Sequence, residues 1–122
     1  MIIFTKFSTI AAKANTYKIT DLEITQPYDN NFNKDVVIDK AFKKAFKRII
    51  LKITTLKENE IEYITNLKTI YSLVESFSII DEKFIDNKYI SNFEVEFNKK
   101  QLFNYLEKKK FFPLLQKKEI YF

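Results

Sequence analysis

The strongest pattern of apolar and polar positions lies in residues 34–54 and predicts a long amphipathic helix. Apolar residues recur there at spacings of one, three and four, as in the stretch DKAFKKAFKRIILKI, and form a broad stripe. The stripe includes Phe42 and Phe46, which we expect to pack against a sheet. Asn31 or Asn33 can cap the start of this helix with its side-chain oxygen.

Alternating positions predict three β-strands. The stretch YKITDLEIT, residues 17–25, is rich in β-branched residues and changes phase near Asp21, which indicates a bulge. Residues 77–85 and 89–97 flank the polar residues DNK, a pattern typical of a hairpin. The second of these strands alternates, with one predicted face carrying Ser91, Phe93, Val95 and Phe97 and the other Asn92, Glu94 and Glu96. We expect Phe42 and Phe46 to lie on the face that carries Phe93 and Val95.

Shorter helices are predicted on either side of the hairpin. Residues 58–76 have apolar positions at helical spacing, and Asn66 is expected to divide them into two helices. Asn98, with Gln101 three residues later, is typical of the start of a further helix. Residues 114–122, LLQKKEIYF, predict the beginning of one more strand.

Together these elements predict a single α+β domain over residues 15–122. In this domain a small antiparallel or mixed sheet is packed on one side by the long amphipathic helix and by shorter helices. A chain of 122 residues with 46% hydrophobic positions is long enough for one core and too short for two ordinary ones.

The first fourteen residues, MIIFTKFSTIAAKA, form a separate segment. They are mostly apolar or small and end in Ala12-Lys13-Ala14, which is similar to the cleavage site of a secretory signal. Lys6 interrupts the apolar run and there is no charged region before it. We therefore keep two interpretations, the remnant of a signal peptide and an ordinary N-terminal segment.

The composition excludes most enzyme classes. The chain has no glycine, histidine or cysteine, so it lacks the residues of glycine-rich phosphate loops, thiol chemistry, histidine-dependent nucleophiles and the usual zinc sites. Any positive φ angle must fall mostly on Asn or Asp. We expect no enzymatic activity, no metal site and no cofactor.

The chain has a net charge of +5, and its positive charges are almost all on lysine, since Arg48 is the sole arginine among 21 basic residues. Lys, Ile, Asn, Phe and Tyr all have A/T-rich codons, so the lysine content is weak evidence for a polyanionic partner. The candidate anion-binding surface is the basic side of the helix at residues 34–54, formed by Lys40, Lys43, Lys44, Lys47 and Arg48. We expect it to be a solvated face. Nucleic-acid binding is disfavoured, because the nearby phenylalanines lie on the side that the core should use, and binding to an anionic membrane surface stays an alternative.

Two groups of carboxylates are weaker candidates for chemistry. Asp81, Glu82 and Asp86 flank the predicted hairpin turn, where they could hold a hard cation, but ordinary turn polarity explains them as well. Glu94 and Glu96 share a strand face at the spacing of an acid/base pair, and we expect them to face solvent opposite lysines.

Four stretches carry a resemblance to a known family: YKITDLEIT, IDKAFKKAFKRIILKIT, LVESFSIIDEKFIDNKYISNFEVEF and LEKKKFFP. In this order they resemble the secreted proteobacterial family known as domain of unknown function 2066. The resemblance spans residues 17–113 and implies an exported, periplasmic protein. Members of that family are typically longer, so the chain is similar to their N-terminal domain or to a fragment of them, and its lack of glycine departs from their usual turns.

These observations favour a non-enzymatic, exported interaction or assembly module. It would dock on another component of the cell envelope or on the rest of its own chain, and the oligomeric state is left open. The alternative is a polyanion-binding domain that uses the basic side of the long helix.

Overall fold

The computed structural model describes residues 15–111 and shows a three-stranded sheet with helices packed on one of its faces. The elements follow in the order β1 (Thr16–Pro27), α1 (Lys34–Ile53), α2 (Glu58–Ile64), α3 (Leu67–Leu73), β2 (Val74–Ile85), β3 (Lys88–Asn98) and α4 (Lys99–Lys108). The predicted α+β class is therefore confirmed. The predictions for residues 1–14 and 114–122 lie outside the described residues.

The sheet has the strand order β1-β3-β2, and both neighbours of β3 are antiparallel to it. Of the two alternatives, antiparallel and mixed, the described sheet is antiparallel. The hairpin partner β2 lies on one side of β3, and the first strand lies on the other, with Thr16 opposite Asn98. Consequently β1 and β2 are the two edges of the sheet.

A bulge near Asp21 explains the change of phase in β1. The register with β3 shifts between Ile19 and Leu22, and Asp21 has a φ of 58°. Asp tolerates this left-handed conformation better than most non-glycine residues. The extra residue brings Ile19, Leu22 and Ile24 to the same face, and all three are buried.

Other backbone positions that usually favour glycine are also taken by polar residues. Asp86 and Asn87 have φ angles of 52° and 59° and form the two-residue turn between β2 and β3, a turn type that needs two positive φ angles. Lys110 has a φ of 63° just after α4, where the Phe111 N–H donates to the Leu106 carbonyl at 2.8 Å. This is the Schellman arrangement that ends many helices.

Helix α1 forms as predicted and begins at the Asn33 cap. The Asn33 side-chain oxygen accepts a hydrogen bond of 2.8 Å from the Asp35 N–H, so Asn33 and not Asn31 is the cap. Its buried face carries Val37, Ala41, Phe42, Ala45, Phe46, Ile49, Ile50 and Ile53. Burial of this stripe against the sheet, more than helix propensity, stabilises the helix.

The central strand β3 shows the predicted alternation, with every second side chain buried in the core. Ser91, Phe93, Val95 and Phe97 are buried on the face that the helices cover. Phe42 reaches this face through Phe77, whose ring lies 5.2 Å from that of Phe42 and 6.1 Å from that of Phe93. Phe42 and Phe46 are both buried, as expected.

The helical prediction for residues 58–76 is correct about the break and wrong about its end. Asn66 caps α3 by accepting a bond of 3.2 Å from the Thr69 N–H. The helix ends at Leu73, and Val74 already pairs with Phe97 of β3. Strand pairing across the sheet therefore overrides the helical spacing of the last three residues.

Candidate functional site

Three of the five basic side chains of the candidate anion-binding surface contact the edge strand β1. The donors are Lys40, Lys44 and Arg48, and their acceptors are, in that order, the side-chain oxygen of Gln26 and the main-chain carbonyl oxygens of Glu23 and Thr20. The two bonds to the main chain measure 3.0 and 2.7 Å. The donors are four residues apart, so they lie in one row along the helix and follow the strand.

The other two basic side chains of this surface differ from each other. Lys47 forms an ion pair of 2.8 Å with Glu58 of α2. This contact raises the pKa of Lys47 and lowers the pKa of Glu58, mainly through the hydrogen bond between them. Lys43 is exposed and makes no hydrogen bond or ion pair within residues 15–111. The five side chains are thus divided among the sheet edge, a neighbouring helix and solvent.

These contacts give the two sheet edges different surroundings. An edge strand presents unpaired N–H and C=O groups to which another chain can add. Along β1, Lys44 and Arg48 occupy two of the carbonyl oxygens, so α1 shields part of this edge. Among the described residues, no such row of side chains donates hydrogen bonds to β2.

Strand β2 is exposed over nearly its whole length. Apolar side chains on both of its faces reach solvent, since Phe77 is 42% exposed, Ile80 39%, Phe84 59% and Ile85 50%. Four large apolar residues exposed on one edge strand are unusual, because edges of this kind invite pairing with another chain. The edge of β2 is therefore the candidate functional site, which we call the β2 edge and define as residues 74–85.

A stretch of five residues without charge lies at the centre of the β2 edge. Ser76–Ile80 has the sequence SFSII, with Glu75 before it and Asp81 after it. The register with β3 is irregular at both ends, between Val74 and Ser76 and between Ile80 and Glu82. Asp81 occupies the second irregularity with a φ of 57°. The stretch between the two irregularities, which has a regular register, thus coincides with the stretch without charge.

A polar cluster fixes the far end of the β2 edge to α1. The Tyr89 hydroxyl donates a hydrogen bond to Glu82, and Lys34 forms an ion pair with the same carboxylate. The hydrogen bonds from Lys34 and Tyr89 lower the pKa of Glu82, and the Glu82 contact raises the pKa of Lys34. Burial, followed by the Glu82 contact, raises the pKa of Tyr89. This cluster neutralises Glu82 and holds the strand beside the helix.

Aromatic rings pack around the same end of the molecule. Tyr28 contacts Phe32 and Phe84 in edge-to-face geometry, with ring centroids 4.9 and 4.8 Å apart. Tyr89 lies 5.1 Å from Phe32 and 5.3 Å from Phe84, which closes a ring of four aromatic side chains. These contacts hold the half-exposed Phe84 ring in place although it is in contact with solvent.

A shallow groove lies beside the start of the β2 edge. It has a volume of about 420 Å³ and is lined by Phe42, Tyr71, Val74, Glu75, Ser76 and Phe77. The hydrogen bond from the Tyr71 hydroxyl to Asp39, helped by burial, raises the pKa of Tyr71 to about 12. Tyr71 therefore stays protonated and acts as a donor at neutral pH, not as a base.

The carboxylates considered from the sequence have other roles. Within residues 15–111 no three acidic side chains come together as a cation site, and Glu82 is engaged by Lys34 and Tyr89. Glu94 forms an ion pair of 3.3 Å with Lys18 on the face of the sheet that the helices leave open. Glu96 accepts a hydrogen bond of 3.2 Å from the Thr16 hydroxyl.

Comparisons with known proteins give no relative. No family model matches the chain, and no curated protein or solved structure matches it. The resemblance to domain of unknown function 2066 stays a prediction. Across residues 15–111, none of the helices has the length and apolar character needed to cross a lipid bilayer.

The β2 edge is the feature that the sequence pattern did not single out. Its stretch SFSII has the apolar and β-branched residues of a strand in a core. The available signals were the carboxylates on either side and Lys83 beyond them, since charges near an exposed edge are common in native sheets.

Proposed function

We propose that the protein is a non-enzymatic, exported interaction module that binds another polypeptide along the β2 edge. The observation that carries this proposal is the contrast between the two edges. Side chains of α1 occupy carbonyl groups of β1, whereas β2 leaves Phe77, Phe84 and their apolar neighbours exposed. Addition of a strand to such an edge combines main-chain hydrogen bonds with apolar contacts from alternate side chains.

Export to the periplasm is the second part of the proposal. It is supported by the A-x-A pattern at Ala12-Lys13-Ala14 and by the resemblance of residues 17–113 to a secreted family. The natural partner is then another protein of the cell envelope. Polyanion binding has less support, because four of the five candidate basic side chains already have partners within the fold.

Site-specific photo-crosslinking tests the docking surface. A benzophenone amino acid at Phe84, on the β2 edge, should cross-link to another polypeptide when producing cells are irradiated, and the product should fractionate with the periplasm. The matched control is the same amino acid at Tyr63, which is 91% exposed but lies on α2. Equal cross-linking at both positions, or none at Phe84, would contradict the proposal.

A further inference from the structure

We infer that the segment added to the β2 edge is an extended, basic segment of another protein. This inference rests on the proposed function and specifies the chemistry of the partner. The segment would place apolar or β-branched side chains beside Ser76–Ile80 and a lysine or arginine near each end of that stretch.

The charge on the β2 edge is opposite to that of the chain as a whole. Residues 74–85 carry three carboxylates and one lysine, although the net charge of the chain is +5. Lys34 forms an ion pair with Glu82, whereas Glu75 accepts a bond of 2.9 Å from the Asn98 amide, which carries no charge. Asp81 is exposed on the bulge. Glu75 and Asp81 form no ion pair within residues 15–111 and flank the regular stretch, where basic side chains of a partner would meet them.

The same charges oppose pairing between two copies of this chain. In an antiparallel pair with a twofold axis at Ser78, the uncharged stretches of both copies face each other. That register places Glu75 of each copy opposite Asp81 of the other, so two like-charge pairs form at once. Like charges directly opposite each other destabilise strand pairing. The edge is therefore suited to a different, positively charged strand.

Both strand directions satisfy the same charge requirement. Glu75 and Asp81 are separated by five residues, so a partner needs basic residues at the two ends of a similar stretch whether it runs parallel or antiparallel to β2. Between them, residues with β propensity add main-chain hydrogen bonds and contacts with the exposed Phe77 and Ile80 side chains.

Synthetic peptides test this inference on the whole protein. The probe has the sequence lysine, then alternating threonine and valine over five residues, then lysine. Two matched peptides replace both lysines by glutamine or by glutamate. In NMR titrations of the isotope-labelled protein, the lysine peptide should bind most tightly and perturb mainly the amides of residues 74–85. Its affinity should fall with added salt, because the pairs are exposed.

A variant of the protein in which amides of the same shape replace the two carboxylates provides the matched comparison. The double variant Glu75→Gln/Asp81→Asn should weaken binding of the lysine peptide by roughly two- to thirtyfold, which is the range for two exposed ion pairs, and leave the glutamine peptide unaffected. The control variant Glu62→Gln/Asp21→Asn removes one charge from α2 and one from the bulge of the other edge. It should bind all three peptides as the wild type does.

Several outcomes would overturn the inference. Equal binding of the three peptides at residues 74–85 would show that charge does not select the partner, while strand addition at the β2 edge, and with it the proposed function, would stand. Amide perturbations confined to other residues, or no binding of the lysine peptide at millimolar concentration, would exclude a basic strand there. A dimer cross-linked through the photoreactive residue at position 84 would identify a second copy as the occupant instead.

Discussion

Arg48 of α1 donates a hydrogen bond of 2.7 Å to the main-chain carbonyl oxygen of Thr20, which lies 28 residues earlier in the chain. The bond joins the helix with the largest apolar face to the edge strand on which it packs. It also gives a function within the fold to the sole arginine of the sequence. The guanidinium suits this position because it carries several donors in a fixed plane.

Arg48→Gln should lower the free energy of unfolding by about 1 kcal/mol, the usual net value of one hydrogen bond. Lys43→Gln is the matched control, since Lys43 lies on the same helix without a partner among the described residues, and its effect should stay below about 0.5 kcal/mol. Chemical denaturation of the two variants measures both values. An equal effect of the two substitutions would mean that the Arg48 bond does not stabilise the fold.

The triple variant Lys43→Gln/Lys44→Gln/Lys47→Gln tests the alternative function of polyanion binding. We expect the wild type to bind DNA, RNA and anionic vesicles weakly, and the variant to keep its fold, because exposed charges contribute little individually. Binding assays over a range of salt concentration provide the measurement. If wild-type affinity falls steeply between about 50 and 200 mM salt and the variant flattens that slope, the basic face is a polyanion site.

Phe46→Ala should destabilise the protein by about 3 to 5 kcal/mol, because it leaves a cavity in the core. Phe46 of α1 is 1% exposed, and its ring lies 6.4 Å from that of Tyr105 in α4. Tyr63→Ala, at a fully solvated position of α2, is the control and should change stability by less than about 0.5 kcal/mol. A loss below about 1 kcal/mol for Phe46→Ala would show that α1 is rotated relative to the sheet.

Lys110→Gly should stabilise the protein by about 1 kcal/mol, since glycine adopts a positive φ without the steric cost that lysine has there. Lys109→Gly is the matched control, because Lys109 has a φ of −86° in the helical region. Glycine at that position gives no such relief and increases the entropy of the unfolded chain, so we expect a loss of stability. Thermal unfolding should therefore move in opposite directions for the two variants.

The pH dependence of stability should contain a contribution from Glu82. Its pKa is lowered below 4.5 in the folded protein by the hydrogen bonds from Lys34 and Tyr89. A group with a depressed pKa stabilises the fold above its unfolded pKa, and this stabilisation is lost as the pH falls through the folded pKa. Glu82→Gln should thus reduce the loss of stability below about pH 4.5. Equal acid profiles for the wild type and Glu82→Gln would contradict this assignment.

The sequence by itself determined the local elements of this protein. The apolar period of α1, a cap at Asn31 or Asn33, the break at Asn66, the cap at Asn98 and the phase change near Asp21 all follow from residues that are close together in the chain. Such features depend on local backbone sterics and on side chains that bond to nearby main-chain groups. For this reason they can be read without knowing what packs against them.

Only the tertiary structure decided which edge of the sheet is open. The central position of β3 depends on pairing between residues as distant as Thr16 and Asn98, and no local pattern specifies that choice. It leaves the stretch SFSII of β2 on an edge although its residues are suited to a core. It also places Lys44 and Arg48 beside β1. The sequence pattern shows only that these residues lie on the polar side of the helix, and it therefore predicts that they contact solvent. Strand order and helix placement result from the burial of all apolar faces together, so exposure at the β2 edge is a property of the whole fold.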